Sequence, residues 1–505
     1  MAGFALLPIL VLVVLMIVLR WSAAAAGTLS AVTAAIVAVV VFQFGETPAD
    51  LAGPILEAAF TAATILWIIF PALSIHEYQT RVGGTGVIGE WLSSISEDPA
   101  ATALLLGWFF TMFLEGASGF GTPIAIVAPM LVALGIPASR AILVALLGHV
   151  VGVSFGAVGA PMVPLLEAAI MDERRLSLEI LLLHACLGWA MTLFVVQYAT
   201  GGAGDGSGAG GAMAVSGRAR RLALVAAICF FGAAALIAAL TGAELPTLGG
   251  ALVGGALFAA WLRRGPSAST RPGPGGKAIL LAGLPYVMLV LLILATRLID
   301  PLRTAARAYR LDWTYGTGFG DVMLPFYHPG TMLFAAFLVT VVVRRSPPRL
   351  VGASMVAAAR RLPQVAIALL AVLTLARFMV HGGMIDALAV AATTLFGRLW
   401  PLAVPLVGAL GSFVTGSGTA SNIIFANFQV AAADGVRLPH GLALAGQSVG
   451  SAIGNIMAPH NIVAGTATVG LVGREGETLS RTVPICLAYA VAAGVLLLLL
   501  QVVLP

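Results

Sequence analysis

Apolar residues fall along this chain in long blocks, at 4–19, 22–42, 54–75, 139–170, 177–199, 222–240, 246–262, 278–298, 329–343, 361–380, 439–472 and 482–504. Most approach the roughly 20 residues a helix needs to cross a bilayer, so the pattern predicts an all-α polytopic membrane protein with about 12 spans. Two further blocks, 99–138 and 399–438, are too long for one span. The second limb of the first, 122–135, has 14 residues. As a helix it covers about 21 Å, short of a hydrocarbon core of roughly 30 Å. Each of these two blocks is therefore predicted to be a re-entrant hairpin. The block at 4–19 reads as a retained span, because no basic residues precede it and Arg20 follows it.

Composition removes the soluble alternative. Hydrophobic residues are 60% of the 505, charged residues 9%, and mean hydropathy is +1.04. So few charges cannot cover so much apolar surface in water. The net charge of +5 resides in loops, where it reads as a topology signal and not as a nucleic-acid footprint. Cys186, Cys229 and Cys486 all lie inside apolar blocks, which argues against a disulfide framework or a metal cluster.

The arginines orient the blocks. Arg218/Arg220/Arg221, then Arg263/Arg264/Arg271/Lys277, then Arg344/Arg345/Arg349 with Arg360/Arg361 are each separated by two apolar blocks. All three clusters can lie on the cytoplasmic side. The polar 299–328 segment then lies outside, its Arg303, Arg307 and Arg310 offset by Asp300, Asp312 and Asp321. The stretches 201–217 and 263–276 read as flexible cytoplasmic loops. Counting back places 76–98 inside, so the hairpin 99–138 enters from inside. Counting forward places Gly382-Gly383 outside, so the hairpin 399–438 enters from outside.

These hairpins are related. Phe113 and Phe413, Gly116 and Gly416, and Gly135 and Gly435 are each 300 apart; Gly83-Gly84 and Gly382-Gly383 pair at 299. Pro137 and Pro439, Gly148 and Gly450, and Gly152 and Gly454 differ by 302, and Ala160-Pro161 answers Ala458-Pro459 at 298. Such steady offsets mark a duplication, and opposite entry sides make it an inverted repeat of the transporter kind. The expected organisation is N-terminal spans at 1–53, repeat 1 at 54–200, connecting loops and spans at 201–360, and repeat 2 at 361–505. Each repeat holds a hairpin followed by a broken helix, at 139–170 and 439–472, where Gly and Pro interrupt 152–161 and 454–459.

Irregular backbone at membrane depth persists where it lines a watery cavity or is buried in protein. The tips, 115–121 and 415–422, carry Ser118, Gly119, Ser417, Thr419, Ser421 and Asn422, and Thr122 begins the limb that follows the first tip. Helix limbs that start there aim free N–H groups and a positive dipole end at the tip, which suits a carboxylate. Close helix packing by small residues is the competing meaning. Asn455, His460 and Asn461 at the second break extend the candidate substrate site. Glu115 and His149 are candidates for proton coupling, with neutral structural hydrogen bonding as the alternative for each. Arg377 is a candidate partner for a substrate carboxylate, against snorkelling to the interface. Glu57, Glu167 and His184 read as structural or interfacial.

At 113–126, 415–422 and 467–476 the sequence resembles the L-lactate permease family, with weaker similarity over 54–200 and 361–500. The resemblance implies proton-coupled uptake of lactate or glycolate at the bacterial inner membrane, in a superfamily of inverted repeats whose moving domain carries the site. The chain departs from the family pattern at Gly418, where an acid is usual, at Asn455, where a lysine is usual, and at His460, where a glutamine is usual. The expected partners are a small monocarboxylate, protons and membrane lipid, with a homodimer as the candidate assembly; no cofactor, metal or nucleic acid is expected. A cation/proton antiporter is the alternative, although neither tip holds an aspartate and hard cations favour several oxygen ligands. No nucleophile–base constellation or phosphate-binding Gly-x-x-x-x-Gly-Lys-Ser/Thr string occurs, which disfavours a membrane enzyme and a self-contained primary pump.

Overall fold

The computed structural model describes residues 1–505 except 20, 120–121, 202–215, 266–268, 270–271, 317–318, 472–473 and 504–505. Arg20, Gly121, Arg271 and most of the 201–217 loop therefore lie outside the described residues. Each of the twelve apolar blocks is mostly helical over its described residues. Among the described residues, eight helices are long and apolar enough to cross a membrane, or nine if the pair Glu173–Leu187 and Trp189–Thr200, bent by 46°, is one span. Four shorter apolar helices accompany them: Ala2–Met16, Ala24–Val40, Pro123–Ala133 and Pro329–Val343.

Local chemistry sets the ends of these helices. Thr47 and Asp50 form a reciprocal capping box ahead of Pro48–Arg81, with Pro48 in the first turn. Asp98 accepts from the Ala100 N–H at 2.9 Å and starts the first hairpin at Pro99; such a cap contributes about 1 kcal/mol. Pro48–Arg81 and Pro348–His381 each have 34 residues and pack along one another. Both are followed by a glycine in the left-handed region that starts the next helix, Gly83 at φ 70° and Gly383 at φ 71°. Gly83 and Gly383, 300 positions apart, thus take the same turn geometry after helices of equal length. Helix Ala2–Val13 packs on Met384–Phe396, while Gly276–Leu298 packs on Gly84–Ser93. Likewise Ala23–Val40 packs on Pro348–His381, while Pro329–Val343 packs on Pro48–Arg81.

The first hairpin consists of Pro99–Ala117 and Thr122–Ala133, the second of Trp400–Thr415 and Gly418–Val436. The first broken helix, Ala138–Ala168, stays helical to His149 and then loosens through 150–162. There Ala157 (φ 43°), Val158 (φ 54°) and Gly159 (φ 83°) are all left-handed, a costly arrangement for a β-branched residue such as Val158. The second broken helix runs His440–Gly454, then a 3₁₀ turn at Asn455–Met457 and an extended Ala458, before Pro459–Thr468. Small residues let each broken helix lie on its hairpin: a side chain at Gly148 would strike the Gly107 carbonyl, and one at Gly450 the Pro405 backbone.

The polar segment 299–328 departs from a purely helical reading. After Asp300–Ala308 it forms an antiparallel pair, Leu311–Tyr315 with Phe319–Met323, in which Trp313 faces Asp321. Trp313 and Tyr315 favour strand, but in a polar stretch between spans they read as loop. Phe319 packs over Gly53 and edge-on to His381 at 5.0 Å, seating this ribbon on the ends of the two long helices.

Candidate functional site

The first hairpin limb delivers Glu115, buried one turn before the chain leaves the helix at Ser118. Gly119 turns at φ 58°, where any other L-residue is disfavoured. The Glu115 carboxylate then reaches Gly156 in the first break: a Cβ at Gly156 would collide with Oε1, and one at Gly119 would sit 3.4 Å from it. Gly156 has φ −63° and ψ 160°, so glycine serves there to leave room for the carboxylate and not to permit the turn. No hydrogen bond or ion pair to the Glu115 carboxylate occurs among the described residues.

The second hairpin turns through Gly416 (φ 73°), and Ser417 caps Gly418–Val436 by accepting from the Ala420 N–H at 3.3 Å. The first N–H groups of that helix have no intrahelical acceptors. Gly418 rests against the first break, since a Cβ there would lie 2.9 Å from Val153. Beside it the second break contributes Asn455 and Asn461. Asn461 Nδ2 donates to Asn455 Oδ1 at 2.6 Å and to the Asn455 carbonyl at 3.2 Å. Its own Oδ1 is buried with no donor among the described residues. His149 Nε2 lies 3.1 Å from Asn455 Oδ1 and its Nδ1 3.0 Å from the Ala145 carbonyl, tying the first broken helix to the second.

One cavity of about 440 Å³ collects these groups. Of the residues expected from sequence it is lined by Glu115, Gly119, Ser417, Thr419, Asn455 and Asn461, so residues of both hairpin tips reach the same space. The first break and the second tip supply most of the rest, and one further wall is unexpected: Gln364, Val365, Ala368, Leu369 and Val372 of Pro348–His381. Gln364 had the polarity to be noticed, but next to Pro363 and Arg361 it reads as the interfacial end of a span.

Other expected residues lie behind the wall. Ser118 Oγ bonds back to the Leu114 carbonyl at 3.0 Å. Ser421 Oγ donates to the Gly408 carbonyl at 2.8 Å, joining the two limbs of its hairpin, and accepts from Gln447 at 3.2 Å. Asn422 Nδ2 donates to the Pro161 carbonyl of the first break at 2.9 Å. His149 reaches the cavity only through Asn455. The side chains of Thr122 and His460 lie outside the described ones.

Arg377 is outside the lining as well. Its guanidinium pairs with Glu167 at 2.8 Å and lies 3.7 Å from Glu57, which also holds His381 at 2.8 Å. Glu167 is on the last turn of the first broken helix, so this cluster links that helix to both long ones. His184 bridges Ser154 of the first break and Tyr489 at 3.0 Å each, and Ser154 meets Ser448 of the second broken helix at 3.0 Å. Sequence reading missed Ser154, Ser448 and Tyr489, since partners some 300 residues apart give no local signal.

The L-lactate permease family model matches residues 2–307 and 322–504. An L-lactate permease of Streptococcus iniae is 28% identical, over 86% of this chain and 92% of its own length. The glycolate permease GlcA of Escherichia coli is 25% identical, over 98% and 94% respectively. Among solved structures, the YdaH transporter of Alcanivorax borkumensis aligns with TM-score 0.50 at 13% identity, over 94% of this chain and 98% of that one. This last likeness bears on the fold alone.

Proposed function

Because the chain belongs to the L-lactate permease family, we propose that this multi-pass membrane protein imports a small monocarboxylate, such as lactate or glycolate, across the bacterial inner membrane together with a proton. The observation that carries the reading is the single cavity onto which a helix start, two amides and a buried carboxyl converge. The substrate carboxylate is received by the N–H groups and dipole at the start of Gly418–Val436, with Ser417 and Thr419 beside it. Asn455 and Asn461 add amide chemistry without adding buried charge. The Asn461 Oδ1, buried here beside the cavity, accepts from the hydroxyl of a 2-hydroxy acid once substrate entry turns it towards that space. Glu115 carries the coupled proton: an unpaired charge at membrane depth is costly, so its protonation is linked to the arrival of an anion nearby.

The same reading treats the two halves as inverted repeats. In its support, Gly83 and Gly383 have matching dihedrals, and the packing partners of the first two helices are exchanged in those of Gly276–Leu298 and Pro329–Val343. In this reading the repeats reach beyond 54–200 and 361–505 to include those helices, with 217–263 as an insertion. The cavity borders Gln364 to Val372, whereas Arg377 lies further along the same helix, away from Arg360 and Arg361. The Arg377–Glu167–Glu57 cluster then closes the outer end of the path while the cavity faces the arginine-rich side.

Proteoliposomes with an imposed pH gradient test this reading. Labelled lactate or glycolate should accumulate against its gradient and stop doing so when the pH gradient is collapsed. Accumulation indifferent to the gradient would remove proton symport.

A further inference from the structure

The helices Gly217–Thr241 and 246–263 form an antiparallel pair. They are packed so closely that a side chain at Gly254 would strike the Cys229 backbone. At their open end lies a second cavity of about 380 Å³, lined by Arg218, Arg221 and Arg264 with Trp261. Arg218 is paired to Asp98 at 2.9 Å. The side chains of Arg221 and Arg264 have no ion-pair or hydrogen-bond partner among the described residues. Among the described residues, no acidic one lines the cavity.

Exposed apolar side chains run from this cavity into the membrane-spanning part of both helices. Leu224 and Ile228 are four residues apart on one helix, and Val253, Leu257 and Trp261 keep the same spacing on the other. An interval of four keeps residues on one helix face. The arrangement is therefore a cationic pocket with an aromatic edge, continued by an apolar stripe facing the bilayer. Its arginines crowd the end where span-flanking positive charge marks the cytoplasmic leaflet, which carries anionic lipid.

We propose that this pocket binds an anionic phospholipid. Its phosphate sits between Arg221 and Arg264, its glycerol region lies against Trp261, and an acyl chain follows Leu257 and Val253. Guanidinium groups suit phosphate because their planar donors match its oxygens, and indole rings settle at the headgroup level. The Arg218–Asp98 pair connects the pocket to the residue that caps the first hairpin, so an occupant braces the base of that hairpin.

Native mass spectrometry of purified, delipidated protein tests the proposal with phosphatidylglycerol, phosphatidylcholine and soluble glycerol 1-phosphate as probes. The expected result is a saturable phosphatidylglycerol adduct, little phosphatidylcholine, and no retention of glycerol phosphate alone. Each arginine is worth about fivefold in affinity. Arg221→Gln with Arg264→Gln should therefore weaken the adduct roughly 25-fold, while Arg349→Gln with Arg360→Gln leaves it unchanged. Equal retention of both lipids by the wild-type protein would overturn the proposal even if the double variant fails to fold. So would undiminished binding by a folded double variant, and glycerol phosphate binding as tightly as the lipid would make this a free-phosphate site.

Discussion

Replacing Asn461 by alanine should change what the cavity selects more than how well the protein folds. Among the described residues the buried Asn461 Oδ1 has no donor, while its Nδ2 makes both bonds to Asn455. A buried acceptor left unpaired costs about 1–3 kcal/mol, and a substrate hydroxyl placed against it removes that cost. Propionate, which lacks the hydroxyl of lactate, leaves it in place. The wild-type protein should therefore bind lactate about 5- to 150-fold more tightly than propionate. In Asn461→Ala the acceptor is gone and the lactate hydroxyl is the unpaired group, so the ratio should fall towards one. Titration calorimetry of both acids on detergent-purified, monodisperse protein reads the two Kd values, and a melting curve reports the loss of the Asn455 bonds separately. Wild-type protein that treats the two acids alike, or a folded Asn461→Ala variant that keeps the lactate preference, would refute the reasoning.

Glu115→Gln should abolish pH-gradient-driven accumulation in proteoliposomes while sparing substrate exchange, because exchange moves no net proton. Gly156→Ala has permitted dihedrals, so its melting temperature should hardly change, but the new methyl pushes the Glu115 carboxylate off its rotamer at a cost of roughly 0.5–1.5 kcal/mol; coupled uptake should fall roughly two- to tenfold. Asn422→Ala loses the bond to the Pro161 carbonyl and should lower thermal stability by about 1–3 kcal/mol; Asn455→Ala, whose side chain borders the cavity, should weaken lactate binding about tenfold or more. A double-mutant cycle with Arg377→Gln and Glu167→Gln should show a coupling of about 0.5–3 kcal/mol in stability.

The helical blocks, the two hairpins and the two breaks were legible because each rests on a local pattern: run length, a limb too short to span, or Gly and Pro within a span. Two adjacent glycines stand at 83–84 and at 382–383, and only the φ values show that Gly83 and Gly383 make the turns. Polar residues in the tips were harder to sort. Ser421 and Asn422 tie helices together while Ser417 and Thr419 face the cavity, yet all four sit among the same small residues. The break at Ala157 and Val158 has left-handed residues that tertiary packing imposes and composition does not advertise. The wall around Gln364 belongs to a helix far from either motif in sequence, and the contact of Arg377 with Glu167 joins residues 210 positions apart.

The central claim, that the space shared by the two hairpin tips holds the substrate, is tested most directly by ligand protection. In a chain with Cys186, Cys229 and Cys486 replaced, Thr419→Cys that still performs lactate counterflow is labelled with a small thiol reagent. Saturating lactate is expected to slow labelling at position 419 while leaving the labelling of Ser480→Cys, an exposed position outside the apolar blocks, unchanged. Equal labelling of Thr419→Cys with and without lactate, in protein shown to bind it, would place the substrate elsewhere and contradict the account.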